Sequence, residues 1–457
     1  MNVGLISLIL LVVAIAVGFV RNANVGILSI AFATIVCIVF KSGDINASTV
    51  VSGFGTSLFI QMVGVAYLFS IIKSNGTLEL AAKKVVSLVP APAIPVVMFL
   101  LGMVLSAAGP GSIPCLAIIP VISIPVAVSA GVNPIMIALI GDLGAMAGRM
   151  SPLTPEAIVI ASLMSEQGMG NDTVPFMLCL ALTSLVCAAI TFIYYKGWKI
   201  EGEHGGKREE FPPFTVKNWA SVLALVILVA GVLGHGWNVG LTGFLVGSIL
   251  IVLGFGDEKA VIAGIPWNVI LMVMGVGMLM KILSLSGGID LLVSALENVM
   301  GAKSAGPLMG LTSGLMSFFS SGLGVVFPTL VPVCGELAAG LGINGAVLVN
   351  MVAIGGTIAG FTPISTAGAL IMAGVAQQED SERRFPQNRM FLELFGVSFL
   401  CLAITMLFSV LGVYGFLVHY SVRIIGGFWG CVLAVRTREF VSLRVRVAAW
   451  ARTCEDV

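Results

Sequence analysis

The chain has 457 residues, of which 58% are hydrophobic and 10% are charged, and its mean hydropathy is +1.09. A typical soluble domain has about 25% charged residues, and a soluble fold of this length could not bury so much apolar surface. Composition therefore excludes a soluble protein and predicts an all-α polytopic membrane protein. The net charge of +1 indicates no nucleic-acid partner, and the eight cysteines and three histidines have no metal-ligand spacing, so no cofactor is expected.

Apolar segments that can cross a bilayer, which takes roughly 20 residues, follow one another along the chain. The first 20 residues lack the basic region of a signal peptide and are interpreted as a transmembrane helix. The segments of the first half are 3–20, 24–40, 57–73, 91–130, 133–164 and 174–195. Those of the second half are 218–234, 239–254, 265–284, 304–341, 344–376 and 390–418.

The stretch 91–130 contains six prolines and fits two structures. One is a pair of ordinary spanning helices. The other is a re-entrant hairpin with its tip at Ser106–Ser112, where Gly and Pro break the helix. Irregular backbone at membrane depth is tolerated only when it is buried in protein or lines a cavity, so the hairpin would mark a functional site.

The next segment contains a second interruption, Arg149-Met-Ser-Pro-Leu-Thr-Pro155. Proline ends one half-helix, and a Ser or Thr can cap the next one. The new helix N-terminus suits a carboxylate and the freed carbonyls suit a cation. A simple proline kink is the alternative interpretation.

Charged residues at membrane depth are costly and usually functional. Asp142 and Arg149 lie seven residues apart on one predicted helix. Arg149 could pair with a substrate carboxylate or with Asp142, and the sequence favours neither. Glu156 could cap the second half-helix, whereas Glu336 and Glu393 are expected to be packing or entrance charges.

The second half repeats these features at an offset of 211 or 212 residues. Tip two is Ser317–Gly324, and break two is Gly360–Thr366. Tight packing through small residues is the alternative for the tips, but a duplication with helix breaks is typical of secondary transporters. Matching residues, first half before second, are Pro120 and Pro332, Gly131 and Gly342, Asn133 and Asn344, Gly148 and Gly360, Pro152 and Pro363, and Gly76 and Gly288.

Charge placement predicts how the two halves are oriented. The linker 196–217 carries five basic residues and is placed in the cytoplasm, which puts Glu166 outside. Each half then has five spans plus a hairpin, and the odd number predicts inverted repeats. We expect a first repeat at 1–195, a second at 218–418, and an atypical Arg-rich tail at 419–457 that is either altered or bound at the membrane interface.

The tips and breaks supply the candidate ligands, and Na⁺ is the metal considered at the tips. The candidate substrate-binding residues are Ser106, Gly109, Gly111, Ser112, Arg149, Ser151, Thr154, Ser317, Ser320, Ser321, Thr362, Ser365 and Thr366. The candidate cation-binding residues are Ser106, Gly109, Gly148, Ser151, Ser320, Gly322, Gly360 and Thr362.

Ser-Ala-Ala-Gly-Pro-Gly at 106–111 and the run at 149–155 resemble the MatC-type malonate/dicarboxylate carriers. The repeat architecture resembles the ion transporter superfamily, which includes the divalent anion:sodium symporters. The resemblance covers 1–418 and implies an elevator mechanism, a homodimer, and a substrate held between the tips and the half-helix ends. Those symporters carry Ser-Asn-Thr at each tip, whereas the matching residues here are Ser106-Ala-Ala and either Ser317-Phe-Phe or Ser320-Ser-Gly.

The expected function is secondary active transport of a small organic anion, such as malonate or succinate, coupled to Na⁺ or H⁺. Lipid is the other expected partner, and the bacterial cytoplasmic membrane is the expected location. An inorganic-ion or Na⁺/H⁺ exchanger, with Asp142 as its acidic residue, is the alternative. A membrane-embedded enzyme is disfavoured because no predicted span provides a metal cluster or a histidine base.

Overall fold

The computed structural model describes residues 3–21, 23–40, 45–87, 89–129, 132–200, 212–362, 365–376 and 385–419. The first half contains α1 (Val3–Arg21), α2 (Val25–Val39), α3 (Ala47–Ser52), α4 (Thr56–Ser74), α5 (Thr77–Ser87), α6 (Ile94–Ala107), α7 (Ser112–Ser129), α8 (Pro134–Gly148), α9 (Pro155–Glu166) and α10 (Val174–Tyr194). The second half contains α11 (Val216–Val229), α12 (Val239–Val252), α13 (Glu258–Gly264), α14 (Trp267–Leu285), α15 (Gly288–Glu297), α16 (Ala305–Phe319), α17 (Phe327–Leu341), α18 (Gly345–Ile358), α19 (Thr366–Ala376) and α20 (Gln387–Val410).

The two halves repeat the same order of helices. Helices α4, α5, α6, α8 and α9 each begin 211 residues before their counterparts α14, α15, α16, α18 and α19. A π-helical turn at Gly322–Val326 opens α17, so the second hairpin enters its return helix through a widened turn. The short helices α3, α5, α13 and α15 were not predicted, because each is too short to register as a span.

Glycines bring the two halves together at their helix crossings. Helix α4 packs on α12, and α2 packs on α14. A side chain on Gly64 would collide with the backbone of Gly240, and one on Gly275 would collide with the backbone of Gly26. Small residues let helix backbones approach closely inside a membrane protein. These two mirrored crossings build a scaffold from both halves.

The hairpins and broken helices form a second bundle. Helices α6 and α7 pack on α8, as α16 and α17 pack on α18. Helix α6 has 14 residues, which at about 1.5 Å per residue is roughly 21 Å, whereas the hydrocarbon core is about 30 Å thick. Helices α6 and α7 form a helical hairpin, but its re-entrance into the membrane stays a prediction, because the predicted span α12 also has only 14 residues.

The described residues contain five helices long and apolar enough to cross a membrane. They lie at Ala47–Ser74, Val174–Tyr194, Trp267–Leu285, Gly322–Leu341 and Asn388–Val410, and shorter apolar helices surround them. The predicted all-α polytopic membrane fold is confirmed. The proposed domain limits stay predictions, and half of the linker and nearly all of the 419–457 tail lie outside the described residues.

Candidate functional site

The two tips and the two breaks meet around one cavity of about 410 Å³. Eight of the predicted ligands line it: Ser112, Arg149, Ser317, Ser320, Ser321, Gly322, Gly360 and Ser365. The cavity therefore joins residues that lie up to 253 positions apart in the chain, and both halves contribute to it. This arrangement is the one expected for a transporter with repeats, whose binding site lies at the repeat interface.

Tip one is a tight reversal between α6 and α7. Gly109 has a φ of 137° and Gly111 a φ of 75°, which are left-handed values that favour glycine. At the start of α7, the Ser112 N–H and hydroxyl donate hydrogen bonds to Glu156 Oε1, at 3.1 and 2.9 Å. Ser106, which lies near the end of α6, is fully buried and does not line the cavity.

Tip two reverses the chain between α16 and α17. Helix α16 runs to Phe319, and the backbone is extended at Ser320 and Ser321, so the reversal lies at Ser320-Ser-Gly. The Ser321 side chain accepts a hydrogen bond from the Gly324 N–H at 3.0 Å and caps the following turn. The Ser317 hydroxyl instead donates to the Gly356 carbonyl of α18 at 2.7 Å, which fixes the hairpin to the broken helix.

Break one is held by the Thr154 hydroxyl. This hydroxyl donates to the carbonyls of Arg149 and Ser151, at 2.6 and 2.8 Å, and accepts from the Ala157 N–H at 3.3 Å. Thr154 is thus the N-cap of α9, in the role that serine and threonine commonly take. Its hydroxyl is occupied, so Thr154 shapes the break and is not a free ligand.

Break two repeats this bonding at an offset of 211. The Ser365 hydroxyl donates to the carbonyls of Gly360 and Thr362, the latter at 2.7 Å. Because Ser365 takes the place of Thr154, the counterpart of Arg149 is Gly360. The match of Gly148 with Gly360, which follows from the 212-residue offset, is therefore wrong. Only the first repeat therefore has a charged side chain at this position.

Arg149 pairs with a carboxylate that the sequence did not assign to it. Its Nε lies 3.2 Å from Glu156 Oε1, and the two side chains are 7% and 1% exposed. The Arg149 guanidinium also lies over the Phe327 ring, 5.6 Å from its centroid, within the range of a cation–π contact. Glu156 therefore joins tip one to break one and holds Arg149 toward tip two.

The pairing of Arg149 with Asp142, one of the two alternatives that the sequence left open, is not observed. Asp142 is fully buried, and neither of its carboxylate oxygens has a hydrogen-bond partner among the described residues. Seven residues along α8 span about 10.5 Å, and helix neighbours meet at separations of three or four residues. Glu156 is also seven residues from Arg149, but the helix is interrupted between them, and the two side chains come together across the break.

Several other predicted ligands lie beside the cavity without lining it: Ser106, Gly109, Gly111, Gly148, Ser151, Thr154 and Thr362. Thr366 begins α19, but its side chain and Pro363 lie outside the described part of the structure. The sequence did not single out Glu156 as a binder of tip one, nor the cavity residues Asn268, Met272, Thr357 and Ala367. Ala367 could have been found as the counterpart of Glu156, whereas no pattern marked Asn268 or Met272.

Comparison with known proteins shows a similarity to one protein family. Residues 1–149 match the family model described as Dicarboxylate carrier protein MatC N-terminus. The resemblance to MatC-type carriers is thus confirmed over a third of the chain, the third that contains α1 to α8 and tip one. No curated protein matches the sequence.

Solved structures of two transporters share the fold. The YdaH transporter of Alcanivorax borkumensis is 15% identical with a TM-score of 0.61, and the match covers 81% of this chain and 88% of that one. MtrF of Neisseria gonorrhoeae, described among antimetabolite efflux pumps, is 13% identical with a TM-score of 0.53, covering 79% and 83%. The chain is an integral, multi-pass membrane protein with a transporter fold, and neither the family nor these structures belong to enzymes.

Proposed function

We propose that the protein is a secondary active transporter of small organic anions. The observation that carries this proposal is Arg149: among the described residues lining the 410 Å³ cavity, it is the only charged one. A buried guanidinium strongly favours a planar carboxylate, which it can bind through two parallel hydrogen bonds. The volume lies within the roughly 300–1,000 Å³ of small-molecule sites.

Dicarboxylates such as malonate and succinate are the proposed substrates, and the match of residues 1–149 to a dicarboxylate carrier family supports them. Na⁺ or H⁺ is the proposed coupling ion, because the chain has no built-in nucleotide-binding motif to supply energy. A homodimer in the bacterial cytoplasmic membrane completes the proposal.

Two clefts between the scaffold and the hairpin bundle support alternating access. A wide cleft of about 1,060 Å³ lies between the scaffold and the hairpin bundle on one side, and a narrow one of about 280 Å³ lies on the other. Many residues that line one cleft correspond to residues that line the other, at an offset of 211 positions in the chain. The corresponding pairs, wide cleft first, include Val273 and Met62, Met280 and Phe69, Lys281 and Ser70, Ile289 and Leu78, Pro328 and Ala117, and Val159 and Leu370.

The two clefts are thus the same route in an open and a closed form. Moving the hairpin bundle along the scaffold by a rigid-body shift would widen one cleft and narrow the other. Such a shift is an elevator motion. Since Glu166 lines the wide cleft and is predicted to lie outside, the structure corresponds to an outward-open state.

Ser70 and Lys281 give a matched test of this state. Ser70 is buried and donates a hydrogen bond to the Val261 carbonyl, whereas Lys281 is exposed in the wide cleft. In a cysteine-free background, Lys281→Cys should therefore react with a maleimide much faster than Ser70→Cys. Denaturing the protein should abolish the difference between the two reaction rates. Equal rates in the folded protein would contradict the assignment of open and closed clefts.

Binding to purified wild-type protein tests the proposed function itself. Malonate or succinate should raise the midpoint of thermal unfolding in detergent, because a ligand that binds the folded state stabilises it by mass action. The corresponding diamides, which lack the charge, should give no shift. Screening each anion with Na⁺ and with a choline counter-ion, at two pH values, identifies the coupling ion. Absence of a shift with every anion would refute organic-anion transport.

A further inference from the structure

The Glu156 carboxylate has partners on one of its two oxygens only. Oε1 accepts hydrogen bonds from the Ser112 N–H and hydroxyl and lies 3.2 Å from Arg149 Nε. Oε2 is buried without a hydrogen-bond partner among the described residues, and it lies so close to Gly111 that a side chain there would collide with it. A buried oxygen of an ionised carboxylate without a donor is unfavourable, so the missing donor at Oε2 needs an explanation.

A proton on Oε2 removes the charge from this oxygen without disturbing the bonds of the other. The protonated carboxyl group keeps Oε1 as an acceptor, so both hydrogen bonds from Ser112 remain. Only the charge attraction between Glu156 and Arg149 is lost. The site therefore accommodates both protonation states of Glu156, and the two states differ in whether Arg149 has a counter-ion.

The two members of the ion pair face different openings of the molecule. Arg149 lines the 410 Å³ cavity, whereas Glu156 lines the narrow cleft of about 280 Å³. An anion in the cavity therefore reaches Arg149 without first displacing Glu156. A proton reaches Glu156 from the narrow cleft, so the pair lies between the two openings.

The second repeat builds the same helix break without these charges. The hydrogen bonds at the two breaks fix the register at 211 residues. The counterparts of Ser112, Arg149 and Glu156 are, in this order, Leu323, Gly360 and Ala367. Break two is nevertheless interrupted and held by its own serine hydroxyl. A buried ion pair is weak evidence for a contribution to stability, so the three polar residues of the first repeat indicate a function that the fold alone does not require.

We propose that Glu156 carries the coupling proton and that its protonation releases Arg149 for a substrate carboxylate. Without substrate, ionised Glu156 is the counter-ion of Arg149. Once a proton binds at Oε2, the buried guanidinium lacks a counter-ion, which favours an anion in the cavity. One proton and one carboxylate are then bound together, and the net buried charge does not change. The inference rests on the proposed transport of organic anions, and it selects H⁺ as the coupling ion.

Other titratable and charged groups lie on the elements around Glu156. Cys115 on α7 lies near it, and Lys73 on α4 lines the narrow cleft with it. Helix α17 also packs on α9, but its Glu336 lines the wide cleft instead. Helix α18 contains no titratable residue. Arg149 is therefore the charged group that responds most directly to the protonation of Glu156.

Asp142 is the alternative proton carrier, because its carboxylate is fully buried and has no hydrogen-bond partner among the described residues. It lies near Cys115 on the other side from Glu156 in the chain, and it lines neither the cavity nor the two clefts. Asp142 is also not the ion-pair partner of Arg149. A proton on Asp142 would therefore leave Arg149 paired with Glu156.

Proton uptake on succinate binding tests the inference. Isothermal titration calorimetry of the purified protein without Na⁺, in two buffers with different heats of ionisation, gives the number of protons bound with each succinate. The wild type should bind up to one proton more per succinate than Glu156→Gln, whose side chain cannot ionise. Because binding takes up a proton, succinate affinity of the wild type relative to Glu156→Gln should fall by up to about tenfold per unit of rising pH. Asp142→Asn is the matched control and should keep the wild-type uptake.

A second measurement does not depend on the folding of Glu156→Gln. Succinate should produce the infrared band of a protonated carboxyl group in the difference spectrum of the wild type and of Asp142→Asn. Absence of this band in the wild type, or its loss in Asp142→Asn, would overturn the role of Glu156. Equal proton uptake in the wild type and Glu156→Gln would do the same and leave organic-anion transport intact. A wild type that binds no organic anion would overturn both proposals.

Discussion

Arg149→Lys is expected to lower the affinity for malonate or succinate by roughly 10- to 150-fold. The guanidinium serves two partners from different nitrogens, Glu156 through Nε and the cavity through Nη2. A lysine ammonium is a single charge centre and cannot reach both. Hydrogen bonds that involve charged groups contribute about 1.5–3 kcal/mol each, which corresponds to the stated range. Titration of each variant with succinate, followed by thermal shift, measures the change.

Asp142→Asn is the control for this prediction. Asp142 lies on the same helix but has no hydrogen-bond partner among the described residues, so the neutral, nearly isosteric amide should change succinate affinity by less than about twofold. For the same reason, adding Asp142→Asn to Arg149→Gln should not restore binding. Recovery in that double variant would show that the two residues are coupled, and would contradict the observed pairing.

Glu156→Gln is expected to destabilise the protein by about 3–5 kcal/mol, because it removes one partner of a buried ion pair and leaves the other charge uncompensated. The side chains involved are 7% and 1% exposed, so solvent does not take over the lost contact. Glutamine can still accept from the Ser112 N–H, but its amide group cannot pair with the guanidinium. The midpoint of thermal unfolding without ligand measures the loss.

A double-mutant cycle separates the ion pair from general disturbance of the site. Glu156→Gln combined with Arg149→Gln should be less destabilised than the sum of the single variants, since no buried charge is left unpaired. Succinate should also stabilise Glu156→Gln more than the wild type, because its carboxylate can then act as a counter-ion for Arg149. Additive losses and an unchanged response to succinate would show that Glu156 and Arg149 act independently.

The hairpin tips and helix breaks could be predicted from the sequence because their causes are local. Proline removes a backbone donor and stops a helix wherever it lies, and glycine supplies the left-handed backbone that Gly109 and Gly111 adopt. Repetition at a fixed offset then favoured a functional break over an ordinary kink. Eight predicted ligands line the cavity on this basis.

The partner of Arg149 could not be predicted in the same way. Two acidic residues lie seven positions away, Asp142 before it and Glu156 after it. An intact helix holds the first about 10.5 Å away along its axis, whereas the second lies across the helix interruption and comes within 3.2 Å. The path of the backbone through the break decides between them, and that path is fixed by Thr154 and its hydrogen bonds.

The sequence by itself determined the membrane-embedded class, the duplication, and the positions where helices are interrupted. These follow from composition, from periodicity and from the backbone chemistry of glycine and proline, each of which acts within a few residues. Only the tertiary structure decided which acidic residue pairs with Arg149 and which residues line the cavity. Glu156 and Ala367 occupy equivalent places in the two repeats, but their roles depend on a third residue, Arg149, that packing brings between both tips.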